Sequence, residues 1–334
     1  MAHSALMAVL RSVASIRLYG SLSLLDVGQS KINREKVTQR EIMPKNLIDE
    51  LAYASPNRRS FLKTIAAASA GVGALSIAGL TPAQAQTTTE IEVLKFALNL
   101  EYLESEFYTY AFYGRGIETF GIGVSGEANG ANPAGGGQTT GGKKVSFNNA
   151  AQVLSAQIAA QIGSDERAHV VLLRSALGSQ AIAKPNLNLN ALGFGFDSQD
   201  DFLRLSRIFE DIGVSAYAGA AGLLSTPAII TTAARILATE AEHVSSVRTQ
   251  MAVLGITTPK LDGADLIPPP SGAKYQVLST NASNGLPATR TPGEVLYLAF
   301  GNKENAMEGG FFPSGVNGSL TSSTAAATAA NLAT

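Results

Sequence analysis

Cysteine is absent from this 334-residue chain. That excludes disulfides, iron–sulfur clusters and thiolate metal sites, so any metal must be held by carboxylate, imidazole or other oxygen and nitrogen groups. Histidine is scarce as well, with three in the whole chain. Charged residues make up 15% against 45% hydrophobic, and the formal net charge is −1. That balance hides an asymmetry. Residues 1–85 carry 10 of the 25 Lys and Arg and 5 of the 26 acids, a net of +5, and the remainder carries 15 and 21, a net of −6. The part from Gln86 onward is therefore mildly acidic, which gives no electrostatic basis for nucleic-acid binding. A phosphate loop is also missing, because Gly135-Gly136-Gly137 is not followed by Lys and Ser or Thr. Long apolar runs are lacking too. The weakly apolar residues 65–80 fall short of the ~20 that a permanent bilayer span needs.

What is present at the basic front end is Asn57-Arg58-Arg59-Ser60-Phe61-Leu62-Lys63, then that short apolar stretch, then Pro82-Ala83-Gln84-Ala85. Paired arginines, a short apolar run and an Ala-x-Ala end are the parts of an export signal. The segment resembles the twin-arginine class, with Asn57 where Ser or Thr is commoner. The resemblance implies recognition of Arg58 and Arg59 by the twin-arginine machinery, cleavage after Ala85 and a periplasmic or extracellular mature protein. Residues 1–42 are unusual ahead of such a signal, and a start at Met43 would give an ordinary basic leader.

Beyond the signal, hydrophobic periodicity predicts four long helices, at about 90–113, 148–177, 198–224 and 226–254. Thr87 to Thr89 cap the first, Gly178 stops the second, Ser198 opens the third, and Thr226-Pro227 and Gly255 bound the fourth. A Gly/Asn/Thr-rich stretch at 114–147 has no periodicity and reads as a surface insertion. The expected organisation is a signal-bearing extension (1–85), an antiparallel four-helix bundle (86–258), a Pro/Gly-rich extension with one short helix from Thr291 to Phe300 (259–318), and a disordered low-complexity tail (319–334).

With His3 ahead of the signal, the mature chain has only His169 and His243, and each follows a glutamate by three residues: Glu166-Arg167-Ala168-His169 and Glu240-Ala241-Glu242-His243. Positions i and i+3 share a helix face, so each pair can reach one metal. Apolar residues surround both pairs, and carboxylates on an apolar face are costly unless paired or metal-bound. The first and third helices should then each add an inward carboxylate. Glu101 and Glu210 fit, since each is followed seven residues later by a tyrosine, Tyr108 and Tyr217. The halves also match in length. Glu101 to Glu166 spans 65 residues, or 31 without the 34 of the insertion, and Glu210 to Glu240 spans 30. Glu104 and Glu106 compete with Glu101. The repeat favours Glu101, leaves Glu104 one turn further along with poorer reach, and turns Glu106 outward. Tyr108 and Tyr217 are core aromatics, redox partners or hydrogen-bonding supports for ligand carboxylates, and Asp165 is a candidate support for a histidine on a facing helix.

This pattern resembles the ferritin-like di-iron/di-manganese carboxylate proteins, in which four Glu and two His from four helices hold a metal pair. More narrowly, residues 98–108 (Leu-Asn-Leu-Glu-Tyr-Leu-Glu-Ser-Glu-Phe-Tyr) and Gly309-Gly310-Phe311-Phe312-Pro313 are similar to the desiccation-related ferritin-like family. The resemblance covers about 90–318. It implies Glu101, Glu166, His169, Glu210, Glu240 and His243 as ligands of two divalent metals, iron or manganese. It further implies a small oxidant, O2 or peroxide, as substrate of an oxidase, ferroxidase or peroxide-consuming enzyme. The alternative is a non-enzymatic stress-protective or surface module with a structural metal. Without cysteine there is no rubredoxin-like electron-delivery domain, whereas peroxide disproportionation needs no donor.

Overall fold

The computed structural model describes residues 87–147, 152–266 and 277–333. The signal residues Arg58, Arg59, Ala83 and Ala85 lie outside them, as does the expected start of the second helix at Asn148. Four long helices dominate: α1 (Thr88–Tyr113), α2 (Val153–Leu177), α3 (Gln199–Ala220) and α4 (Pro227–Leu254). A short helix, α5 (Pro292–Ala299), lies in the C-terminal extension. The chemistry of the ends explains the boundaries. Thr87 and Glu90 form a reciprocal capping box on α1, Ser198 accepts from Asp201 N on α3, Pro227 opens α4, and Gly114 and Gly255 close α1 and α4 in the left-handed conformation. The all-α expectation holds.

The helices pack as two pairs, α1 on α2 and α3 on α4. Moving up α2, Arg167 bonds Thr109 and Arg174 bonds Tyr102, so α1 is met in falling order and the pair is antiparallel. Arg204 bonded to Thr257 beyond the end of α4, Arg248 paired with Asp211 and His243 with Glu210 give α3 and α4 no parallel register either.

Two apolar clusters form the core. One holds Leu103, Phe107, Tyr108, Ile162, Phe202, Phe209, Val247 and Met251. Phe107 is its hub, with ring centroids 4.9 to 5.5 Å from Tyr108, Phe196, Phe202 and Phe209. The other holds Leu94, Leu98, Tyr102, Val170, Leu173 and Ile236. α1, α2 and α4 contribute to both clusters and α3 reaches the second through the half-buried Tyr217, and the polar layer described below lies between them.

Every residue of α1 from Leu98 to Thr109 is buried, including the side turned from the bundle. The covering is the 114–147 segment together with the α2–α3 connection. These meet in a two-residue parallel ladder, β1 (Thr139–Thr140) on β2 (Leu187–Asn188). Glu106, expected to face outward, is turned from the site but is not exposed to solvent. Glu106 points away from the centre of the bundle yet is fully buried, ion-paired with Lys184 and accepting from Thr139 Oγ1 at 3.0 Å and Ile117 N at 3.3 Å. The expected disordered tail is corrected as well. Ser323 is buried and bonds Lys303 O at 2.6 Å, Ala327 is buried and accepts from Gly263 N, and residues Ala329–Leu332 form a 3-10 turn. Small side chains let this segment lie flat against the extension, so its low complexity does not prevent packing.

Candidate metal centre

All six ligand candidates are buried and converge between the helices. Glu101 comes from α1, Glu166 and His169 from α2, Glu210 from α3, and Glu240 and His243 from α4. They fall into two groups that share two carboxylates: Glu101, Glu166, His169 and Glu240 in one, and Glu166, Glu210, Glu240 and His243 in the other. Within the first, His169 Nδ1 lies 3.2 Å from Glu101 Oε2, 3.3 Å from Glu166 Oε2 and 3.5 Å from Glu240 Oε1. Within the second, His243 Nδ1 lies 3.0 Å from Glu166 Oε1 and 3.1 Å from Glu210 Oε2. Glu166 thus turns one oxygen to each imidazole, and the ring centroids are 6.3 Å apart.

The supports cross between the halves. Tyr108 of α1 donates to Glu210 of α3, and Tyr217 of α3 donates to Glu101 of α1 at 2.5 Å. Each tyrosine therefore orients the carboxylate of the other helix. Asp165 Oδ2 approaches His243 Nε2 at 3.4 Å, which directs Nδ1 toward the carboxylates. The α4 residue at the same place before Glu240 is Thr239, whose hydroxyl bonds Arg235 O instead. The two halves are not equivalent in this respect.

Glu104 and Gly213 break the symmetry further, and sequence reasoning missed their pairing. Glu104 is three residues after Glu101, and Gly213 is three residues after Glu210, so the repeat places them in corresponding positions. Glu104 is buried among the other acids and lies outside both four-residue groups. A Cβ built at Gly213 would lie 2.6 Å from Glu240 Oε2 and 3.3 Å from Glu104 Oε1. Glycine on α3 is what makes room for a fifth carboxylate from α1. The signal was available in the repeat as Glu-x2-Glu against Glu-x2-Gly.

Electrostatics show what the cluster demands. Burial raises Glu104 and Glu240 well above the usual carboxylate range, and repulsion adds to it, from Glu240 and Glu166 on Glu104 and from Glu166 and Glu210 on Glu240. Burial also raises Glu101, to about 7, with His169 opposing. Burial would lower His169, but Glu101 and Glu166 push it up to about 12. Burial would raise Glu166, yet His169 and His243 hold it below its ordinary value. Protons on imidazole and carboxyl groups thus stand in for missing positive charge. Glu166 Oε1 and both oxygens of Glu240 are buried without a hydrogen bond, although a buried unsatisfied polar group costs about 1–3 kcal/mol.

The residues fit a metal pair. Bonds of ~2.1 Å meeting near right angles put ligand atoms about 3 Å apart, and the imidazole–carboxylate separations are 3.0 to 3.5 Å. Four carboxylates offset the charge of two divalent ions while both imidazoles stay neutral.

Comparison with known proteins agrees with this architecture. Residues 89–252 match the ferritin-like domain family. The chain is 22% identical to the ferritin-like catalase Nec2 of Nesocodon mauritianus over 280 residues, covering 69% of this chain and 84% of the relative. No solved structure matches.

Proposed function

We propose that the ferritin-like domain of residues 89–252 is a peroxide-disproportionating enzyme built on a dinuclear iron or manganese centre. The observation that carries the reading is the pair of buried four-residue groups sharing Glu166 and Glu240, with both Glu240 oxygens left without hydrogen bonds. The similarity to a protein named a catalase favours peroxide over other oxidants. The chain's composition points the same way. With no cysteine anywhere to relay electrons, a reaction in which one peroxide reduces another needs no donor.

The bound metal pair would supply the two-electron cycle, one peroxide going to water and the other to dioxygen. Glu166 and Glu240 would be common to both metals, with Glu101 and His169 on one side and Glu210 and His243 on the other. Tyr108 and Tyr217 hold the terminal carboxylates in orientation by their crossed hydrogen bonds. Asp165 keeps His243 Nδ1 directed inward. Glu104 stands beside the cluster outside both ligand groups, where burial and its acidic neighbours favour the protonated form, so it can give or take a proton there without a change in ligands. The apolar clusters flank the polar layer.

The test is oxygen release by protein loaded with iron or with manganese. The expected result is one dioxygen per two peroxide molecules, with no added donor. Ferrous iron consumed without oxygen release would favour a ferroxidase, and metal held with neither reaction would favour a structural metal joining four helices.

The proposal extends to export through the twin-arginine route, which carries folded proteins and so would allow metal loading first. No helix of the described residues is long and apolar enough to cross a membrane. Changing Arg58 and Arg59 both to lysine should leave the precursor in the cytoplasm, and normal export of that variant would contradict the assignment.

A further inference from the structure

A cavity of about 360 Å³ lies between α1, α3 and the C-terminal extension, reaching from the surface to the polar layer. Leu103, Ile208, Phe209, Leu298 and Phe311 form its walls. Pro259 and Lys260, both exposed, stand at its rim. At its inner end are Glu104 and Gly213, the two residues that set the asymmetry of the cluster. The bare Cα of Gly213 leaves the α3 backbone directly against Glu240 Oε2, which lies within 2.6 Å of where a Cβ would stand. The cavity therefore meets the proposed metal centre on the side carrying the extra carboxylate.

Size and polarity decide what it can hold. One water fills about 30 Å³, so the space is roughly ten times what a molecule as small as hydrogen peroxide needs. Apolar walls also give such a polar molecule nothing to bond. The volume is within the range of small-molecule pockets, about 300–1,000 Å³, which are mostly apolar with a few placed polar groups.

We propose that this cavity binds an organic hydroperoxide by its apolar chain, with the O–O group at Glu104 and Gly213. The inference rests on the peroxide reading and names a second substrate class for the same site. The reaction balances without an outside donor. The organic O–O bond takes up two electrons and two protons and breaks to give an alcohol and water. Hydrogen peroxide gives up the same two electrons and two protons and leaves as dioxygen.

Two measurements test it on metal-loaded protein. First, crystals soaked in bromohexanol, a stable mimic of hexyl hydroperoxide, should show an anomalous bromine peak between α1, α3 and α5, with the hydroxyl end at Glu104. Second, hexyl hydroperoxide with hydrogen peroxide should give one dioxygen and one hexanol per hydroperoxide consumed. Leu298→Trp, which fills the cavity away from the cluster, should abolish the bromine peak and lower kcat/KM for hexyl hydroperoxide about tenfold or more, leaving hydrogen peroxide turnover within about twofold. Leu192→Trp, at an exposed position lining the same cavity, repeats the test if the first variant does not fold. No bromine peak, or no hexanol from protein that turns over hydrogen peroxide, would overturn the proposal. An equal loss of both activities on filling would also overturn it, because the cavity would then be the path of hydrogen peroxide. Failure with hydrogen peroxide alone would instead overturn the peroxide reading, while the bromine peak would still report on the pocket.

Discussion

Glu240 combines two properties that conflict unless a cation is bound: it is fully buried, and neither of its oxygens accepts a hydrogen bond. Replacing it with leucine should stabilise the metal-free protein by about 1–3 kcal/mol, the cost of the orphaned group, while metal content falls from two ions to one or none. Denaturation in chelator beside metal analysis checks both, and a less stable metal-free variant would mean that Glu240 has a partner. The crossed tyrosines give a second expectation at this scale. Tyr108→Phe and Tyr217→Phe should each weaken metal binding by about tenfold or more, as lost supports of ligands do, read by competition with a chelator. Unchanged affinity in both would reduce the tyrosines to core aromatics. The six ligand candidates were legible because only two histidines lie beyond residue 85, and both obey one spacing. Glu104 was legible only as a competitor of Glu101, because its place as an extra member of the cluster depends on what α3 lacks at position 213, which the repeat marks as Glu-x2-Glu against Glu-x2-Gly.

At the scale of elements, caps made the helix ends legible: Thr87, Ser198, Pro227 and Gly255 act through local hydrogen bonds and fixed dihedrals that sequence alone specifies. The insertion and the tail were not legible, because long-range contacts order them. Lys184 reaches Glu106 across 78 positions, and β1 pairs with β2 across the whole of α2. Glu90 joins local and distant roles. Besides capping α1, its carboxylate accepts from Ser225 N at 2.7 Å and Thr226 N at 2.6 Å, tying the start of α1 to the start of α4. Burial would raise its pKa, but the Thr226, Thr87 and Ser225 amides lower it from 4.5 to about 2. A carboxylate lowered on folding stabilises fully above its unfolded value and loses that contribution as pH falls through its folded value. Glu90→Gln should therefore cost about 2 kcal/mol at neutral pH, in line with hydrogen bonds to a charged group. The difference should shrink as pH falls from 4.5 toward 2. Urea denaturation across that range checks it, and a pH-independent difference would contradict the account.

Across the whole molecule, two helix pairs related by an internal repeat bring their acids to the junction of two apolar clusters. Each pair alone has one Glu-x-x-His and one further ligand candidate, and only the assembled bundle places Glu166 and Glu240 within both groups. The repeat makes the site two-sided, and Asp165, Glu104 and Gly213 make the sides unequal. That inequality is where substrate would be told from solvent. The central claim is that the layer holds two metals with Glu166 between them. Anomalous diffraction from metal-loaded crystals at the iron or manganese edge tests it most directly. The account predicts two peaks about 3.5–4 Å apart, as in two-metal sites, one beside His169 Nδ1 and one beside His243 Nδ1, with an oxygen of Glu166 on each. A single peak, or two peaks that Glu166 does not join, would contradict it.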